Sequence, residues 1–345
     1  MRFLPVLIIG AMALAASVSG QTPTGPAPSQ EGTPAPAGPG RGGRGGRGGP
    51  PRVVVIPDAP ELDHTLVQNP LPLPDGMTYG VVASVATDSR GHVFVYHRSP
   101  VPLVEFTPAG GFVKGLRQGT DTRAHSVRID AADNLWLVDS GDHTVTKVSP
   151  AGEVLMTLGT KGVTGSGDDA ASRSLFNIPS DIAIAPNGDL FVAQGEAGGP
   201  DPRVIRFDRN GRFLTTWSLA YTEGIRSNPH AIEVDRDGLI YVADREVMRI
   251  RVFRPDGTPV RVIQMKNLVC GLFVDRQNQL WVAAGTDGMV LKVDWDGNVL
   301  GRMGTAGRGA GQIAEGHMLA VTAAGDVYVA DSVNRVVHKF ARRQP

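Results

Sequence analysis

Three of the eight histidines in this 345-residue chain occupy one equivalent position of an internal repeat. They are His125, His230 and His317, and each begins a short apolar segment that is followed by a polar turn and a second apolar segment. Three neutral imidazole nitrogens with one coordination position left open are typical of catalytic zinc sites. The pattern therefore indicates a metal centre, provided that the fold brings the three positions together.

The competing interpretation is that these histidines only make the structural hydrogen bonds of a repeat motif. The same position holds Ala83, Ser180 and Cys270 in the three remaining units, so that histidine occurs in every second unit. Drift between repeats does not explain a strict alternation well. The alternation therefore favours metal binding, with zinc as the first candidate and another divalent metal as the alternative.

Each unit contains two apolar segments separated by a polar or glycine-containing turn, which predicts a β-hairpin. Successive units begin 40 to 55 residues apart, and two further strand-like segments follow each hairpin except the last. Strand-turn-strand units with such a period predict a β-propeller, here an all-β fold with six blades. Alternate blades are one third of a turn apart, so their histidines should converge on the central channel.

The last unit ends after its third strand, at residues 336–340, and lacks an outer strand. A spare apolar segment lies near the beginning of the chain, at residues 52–56. We expect this N-terminal segment to complete the last sheet and to close the ring, because an open edge strand is prone to aggregation. The propeller is therefore predicted to span residues 52–345 and to be a monomer.

Residues 1–20 contain Arg2, an apolar run over residues 3–16 and a small-residue exit, which together predict a secretory signal peptide. The apolar run is short for a membrane-spanning helix, although a retained anchor is the alternative. These features predict a secreted or periplasmic protein with no membrane span after cleavage. The single cysteine, Cys270, excludes an internal disulfide.

Residues 21–51 are rich in proline, glycine and arginine, which predicts a disordered linker. Repeated Arg-Gly-Gly is also found in nucleic-acid-binding tails. This segment lacks aromatic residues and follows an export signal, so we interpret it as a spacer. The net charge of zero offers no electrostatic argument for a nucleic-acid or membrane partner.

Arginines and aspartates occur just after the second strand of several units. Arg98 and Arg245 hold the same position in blades one and four, which should face each other across the axis. Two guanidinium groups above a metal would suit a carboxylate, whereas the alternative is that both are surface cations. The aspartates in the three histidine blades are either acceptors that orient the imidazoles or ordinary turn residues: Asp139, Asp244 and Asp331. Insertions at residues 159–177 and 219–228 should wall the same end of the ring.

The segments AHSVRID, NPHAIEVD and EGHMLAV, together with VADRE, resemble the peptidyl-α-hydroxyglycine α-amidating lyases, a family of NHL-repeat propellers. The resemblance covers about residues 80–340. It implies a six-bladed propeller that cleaves a C-terminal α-hydroxyglycine into a peptide amide and glyoxylate. It also implies that His125, His230 and His317 bind zinc and that Arg98 and Arg245 handle the substrate.

The sequence departs from this family at several positions. Glu196 stands where the family has a tyrosine that has been proposed as the base, and a glutamate near a metal can serve as one. Glu315 and Met318 replace a methionine and a calcium-binding aspartate, so we do not expect a structural calcium. The family's disulfides are excluded by the single cysteine.

Three functional hypotheses follow. The first is a zinc-dependent carbon–nitrogen lyase acting on a peptide C-terminus or on a related small α-hydroxy amide. The second is a metal-dependent hydrolase or lactonase in which Glu196 or Glu315 is the base that activates water. The third is a non-catalytic propeller that binds a peptide or sugar. Retention of Arg98 and Arg245 favours the first hypothesis, and loss of the tyrosine favours the second.

Overall fold

A computed structural model describes residues 53–219 and 227–343 of the chain. Within these ranges, 24 strands form six antiparallel four-stranded sheets, so the predicted all-β six-bladed propeller is confirmed. The predicted signal peptide and linker, residues 1–51, lie outside the described residues. None of the described helices is long and apolar enough to cross a membrane.

The blades follow the chain in order, and in blades one to five the first strand is innermost. Blade one contains β2 (Val81–Thr87), β3 (Val93–Arg98), β4 (Leu103–Phe106) and β5 (Phe112–Leu116). Blade two contains β6 (Ala124–Ile129), β7 (Leu135–Asp139), β8 (Thr144–Val148) and β9 (Val154–Gly159). Blade three contains β10 (Pro179–Ile184), β11 (Leu190–Gln194), β12 (Arg203–Phe207) and β13 (Phe213–Ser218).

Blade four contains β14 (Pro229–Val234), β15 (Ile240–Asp244), β16 (Arg249–Phe253) and β17 (Pro259–Gln264). Blade five contains β18 (Gly271–Val274), β19 (Leu280–Ala283), β20 (Val290–Val293) and β21 (Val299–Met303). Blade six contains β22 (Gly316–Val321), β23 (Val327–Asp331), β24 (Val336–Arg342) and, from the N-terminal side, β1 (His64–Val67). Two 3₁₀ turns, Glu196–Gly198 and Arg245–Val247, follow the second strands of blades three and four.

Apolar side chains between adjacent blades form the core. The second strands of the blades are almost wholly buried, as in LWLV of β7 and IYVA of β15. Outer strands such as β5 and β17 carry exposed residues because one of their faces meets water. The innermost strands contact their neighbours all the way round, from β2 through β22 and back to β2, so the ring is closed.

The ring is closed by an N-terminal strand, as predicted, but the predicted segment is wrong. The closing strand is β1, which pairs with β24 so that Leu66 faces Phe340, whereas residues 53–56 form no strand. An outer strand buries only one face. In β1, Leu66 packs against a buried cluster while Thr65 is exposed. The uniformly apolar 53–56 segment lacks that alternation, and its Val53 is 82 % exposed.

Candidate metal centre

The three alternating histidines meet in the central channel. Each is the second residue of the innermost strand of its blade, and each is buried: His125 in β6, His230 in β14 and His317 in β22. One ligand atom from each ring lies within 4.8 Å of the other two. The ring centroids are 4.7 to 5.0 Å apart. The convergence expected from sequence spacing is therefore present in the fold.

A break in strand pairing accompanies each of these histidines. The register between the first two strands shifts between Ala124 and Ser126 in blade two and between Pro229 and Ala231 in blade four. A comparable shift surrounds His317 in blade six. An unpaired residue of this kind bends its strand and changes the direction of its side chain. The irregularity lets the imidazole turn toward the axis while the rest of the strand stays in the sheet.

Backbone carbonyl groups set the tautomer of all three rings. Nδ1 lies close to the carbonyl oxygen at the equivalent position of the next blade: 2.5 Å from His125 to Ser180, 2.7 Å from His230 to Cys270 and 2.6 Å from His317 to Ala83. A carbonyl oxygen can only accept, so Nδ1 carries the proton and donates it. In the neutral ring, Nε2 is then left with its lone pair, as a metal ligand requires.

Arg245 provides independent evidence for this tautomer. Its Nη1 lies 3.0 Å from Nε2 of His230. A guanidinium can only donate, so Nε2 of His230 must accept. Burial, the Arg245 charge and the neighbouring imidazoles hold the pKa of His230 well below its usual range. Burial and the adjacent His125 likewise lower the pKa of His317. Both rings are therefore neutral and able to coordinate a metal at neutral pH.

The structure also places Glu196 at the histidine cluster. It begins the 3₁₀ turn after β11 and is fully buried, with Oε2 3.5 Å from Nε2 of His125. Gly195 precedes it with φ 104°, and a Cβ there would lie 2.6 Å from Cα of Pro202. Only glycine fits without strain at this position, so the turn that carries Glu196 depends on Gly195.

The two predicted arginines lie at this end of the ring with different partners. Arg245 contacts His230 and also pairs with Glu246 at 2.7 Å, while Glu315 lies 3.8 Å away. Arg98 is partly buried and donates Nε to the carbonyl of Ala124, the residue before His125. Both guanidinium groups are thus tied to the strand starts that carry the histidines.

Two further neighbours were missed in the sequence. Arg123 extends Nη2 to 3.4 Å from Oε2 of Glu196, and Sγ of Cys270 lies 3.7 Å from Nδ1 of His230. Burial raises the pKa of Cys270 to about 12, so it is a thiol at neutral pH. Arg123 and Glu315 each lie two residues before a channel histidine. A comparison of this position between blades would have identified Arg123 as a candidate site residue.

The aspartates of the histidine blades support the strand starts rather than the imidazoles. Each accepts the backbone N–H two residues before its histidine: Asp139 from Arg123 at 3.0 Å, Asp244 from Asn228 at 2.7 Å and Asp331 from Glu315 at 3.2 Å. The imidazole rings are instead oriented by the backbone carbonyls that accept their Nδ1–H hydrogen bonds. The interpretation of these aspartates as acceptors for the imidazoles is therefore wrong, and the turn interpretation holds.

The insertion at residues 159–177 reaches the start of β10, at the end of the ring that carries the histidines. It is held by buried Arg203, which donates to the carbonyls of Arg173 and Leu175 at 2.9 and 2.8 Å. It is therefore anchored to blade three, and its role as a wall of the site stays a prediction. The second insertion is described only at residues 219, 227 and 228.

A cavity of about 980 Å³ lies at the opposite end of the channel, among the turns that follow the innermost strands. Arg128 lies on its floor and pairs with Asp181 at 2.5 Å and Glu233 at 2.6 Å. It also donates to the carbonyl of Leu272 at 3.1 Å. These partners come from blades three, four and five, so the guanidinium lies across the channel.

The donor set suits a zinc ion or a similar divalent metal. Three imidazoles meet in the channel, and Nε2 of His125 is buried and makes no hydrogen bond in the described part of the chain. Nitrogen donors of this kind, with a neighbouring carboxylate, match the ligands that zinc prefers. The residues present therefore fit the metal that the alternating pattern predicts.

Comparisons with known proteins agree with the repeat and the fold. The sequence profile of the NHL repeat matches residues 227–253, which include His230. The probable peptidyl-alpha-hydroxyglycine alpha-amidating lyase pgal-1 of Caenorhabditis elegans is 29% identical over 202 residues, covering 50% of this chain and 55% of that protein. NHL repeat-containing protein 3 of Homo sapiens is 29% identical over 188 residues, covering 51% and 53%. The chain thus spans about half the length of the curated relatives it matches.

Among solved structures, a gluconolactonase from Xanthomonas campestris superposes with a TM-score of 0.61 at 17% identity, covering 83% of this chain and 91% of that protein. At this identity the likeness shows a shared propeller fold. The sequence relatives thus include a protein named as an amidating lyase, and the structural neighbours show the fold.

Proposed function

We propose that this protein is a zinc-dependent carbon–nitrogen lyase for molecules ending in α-hydroxyglycine or in a related α-hydroxy amide. His125, His230 and His317 would hold the zinc. The observation that carries the proposal is the set of three buried imidazoles whose Nδ1 atoms are occupied by backbone carbonyls. A hydrogen bond from Nδ1 would be enough for a histidine with a structural role. The meeting of three such rings at one point goes beyond that role and is suited to a shared ligand.

Zinc bound there would act as a Lewis acid that makes the substrate hydroxyl more acidic. Arg245 and Arg98 would bind the substrate carboxylate, since guanidinium groups form strong paired hydrogen bonds with carboxylates. Glu196 would accept the hydroxyl proton as the carbon–nitrogen bond breaks. The bond electrons pass to the amide nitrogen, which takes up that proton, so that an amide and glyoxylate are formed without net proton change.

A metal-dependent hydrolase or lactonase is the second candidate function. The observation that favours it is Glu196, because a carboxylate 3.5 Å from His125 is placed to take a proton from water. The two arginines favour the lyase, since their charge has no evident use on a neutral lactone. We further propose that the protein acts outside the cytoplasm, on the strength of the signal-like residues 1–20.

The decisive experiment incubates the zinc-loaded protein with an acylated peptide ending in α-hydroxyglycine and measures glyoxylate and peptide amide by mass spectrometry. Equal amounts of both products are expected, and they should be absent for His230→Ala but present for His92→Gln, a variant away from the site. Zinc-loaded protein that releases no glyoxylate but opens a sugar lactone would support the hydrolase instead. Ligand binding that survives loss of the metal would favour the non-catalytic propeller.

A further inference from the structure

We propose that Glu196 is the fourth protein ligand of the metal, so that the resting site is closed by this carboxylate until substrate displaces it. The inference rests on the proposed three-histidine metal site. It differs from the role of Glu196 as a base alone, because a base needs no bond to the metal.

Nε2 of His125 and Oε2 of Glu196 face each other at 3.5 Å. Nε2 is buried and makes no hydrogen bond in the described part of the chain. An imidazole that coordinates a metal through Nε2 carries no proton on that atom, and an ionised carboxylate also offers only lone pairs. A metal shared by both atoms would then place two electron-pair donors on one cation.

The distance between these two atoms also fits a shared metal. Zinc binds imidazole nitrogen at about 2.0–2.1 Å and carboxylate oxygen at about 2.0–2.2 Å, in tetrahedral geometry. Two such donors on one ion are then about 3.4 Å apart. The separation of 3.5 Å between His125 and Glu196 matches this value.

The burial of the Glu196 carboxylate also favours a bound cation. Glu196 is fully buried, and a buried carboxylate requires compensating positive charge. Arg123 contributes from the solvent side, with its side chain 32% exposed and Nη2 3.4 Å from Oε2. A divalent cation on the other side of the same oxygen would add to this compensation. Arg123 would also give the carboxylate a partner when substrate takes its place at the metal, which lets Glu196 then act as the base.

The test compares the zinc affinity of wild type, Glu196→Gln and Glu196→Asp, measured by competition with a chromophoric chelator. Loss of a supporting group alone weakens metal binding roughly 10- to 100-fold, so Glu196→Gln should weaken it by at least about 10-fold. Glu196→Asp keeps the charge but shortens the side chain, and it should also weaken binding. Glu153→Gln, an exposed glutamate outside the site, is the matched control and should bind as wild type does.

The visible spectrum of the cobalt(II)-loaded protein gives a second readout that is independent of activity. Replacing a carboxylate donor should change the band positions in Glu196→Gln, whereas Arg123→Met should leave them in place. Unchanged affinity and spectrum in Glu196→Gln would overturn the inference and identify Glu196 as an ion-pair partner of His125. That outcome would leave the proposed three-histidine metal site unaffected. If wild type binds no metal, the proposed function itself fails.

Discussion

Arg245 places Nη1 3.0 Å from Nε2 of His230, the atom whose lone pair a metal would use. The guanidinium therefore occupies the same acceptor that the metal requires. Glu246 and Glu315 lie 2.7 and 3.8 Å from the guanidinium nitrogens and offer it alternative partners. Metal binding would thus be accompanied by a shift of Arg245 toward these carboxylates.

Because Arg245 and the metal compete for Nε2 of His230, replacing Arg245 should have opposite effects on zinc affinity and on catalytic efficiency. Arg245→Met should raise zinc affinity, because a positive charge next to the metal is removed. The same change should lower kcat/KM for a carboxylate substrate about 10- to 100-fold, since a hydrogen bond to a charged group contributes about 1.5–3 kcal/mol. Chelator competition and steady-state kinetics measure the two effects. A loss of zinc affinity would show that Arg245 supports the metal site rather than competing with it.

Each of the three channel histidines should be required for metal binding. His125→Ala, His230→Ala and His317→Ala should each reduce zinc from close to one per chain to well below stoichiometry after dialysis, because each variant loses one of the imidazole donors of the site. Metal content after dialysis, measured by mass spectrometry, is the readout. His92→Gln should retain the metal, since His92 pairs with Glu105 away from the channel. Full zinc content in any alanine variant would contradict the site.

The Arg128 network, most of which is shielded from water, should contribute strongly to stability. Arg128→Met leaves Asp181 and Glu233 without their shared cation, and breaking a buried ion pair from one side costs about 3–5 kcal/mol. The free energy of unfolding, obtained from urea titration, should fall by that amount. Arg236→Met removes an exposed arginine at the rim of the same cavity and should stay within about 0.5 kcal/mol. Equal effects of the two substitutions would argue against the network.

The same network predicts a pH dependence. Burial raises the pKa of Glu233 to about 7, although Arg128 opposes the rise. An unfolded glutamate titrates near about 4.3, so the folded state binds the additional proton between these values. Stability should therefore decline as pH rises from about 4.5 to 7. Urea midpoints at about pH 5 and pH 7.5 should show a larger decline in wild type than in Glu233→Gln, which cannot titrate. Parallel profiles would contradict the raised pKa.

The closing strand offers a test by truncation. A chain beginning at Val53 retains β1, whereas a chain beginning at Pro70 lacks it and leaves β24 as an open edge. The shorter protein should melt at a lower temperature and aggregate more readily, because Leu66 no longer covers its apolar cluster and backbone groups of β24 lose their partners. Calorimetry and light scattering measure both effects. Identical behaviour would show that β1 is dispensable for the ring.

The identity of the closing strand shows the limit of local pattern. Residues 52–56 are more apolar than HTLV in β1, and composition alone favours them. The outer strand of a blade buries only one of its two faces. In β1 the buried face includes Leu66, which packs against the cluster around Phe340. Which segment fits the last blade depends on side chains nearly the whole chain length away, so this choice belongs to the assembled ring.

The sequence alone determined the architecture and the meeting of three histidines, because a repeated structural unit places equivalent residues at equivalent radius and height in the ring. It also located Arg245 through its position after a second strand, and the family resemblance pointed to Glu196. Only the tertiary structure decided which atoms face one another. The carbonyls of Ser180, Cys270 and Ala83 set the tautomers, and Arg123 reached Glu196 from another blade. Those relationships join blades that are neighbours in space, and no pattern within a single repeat contains them.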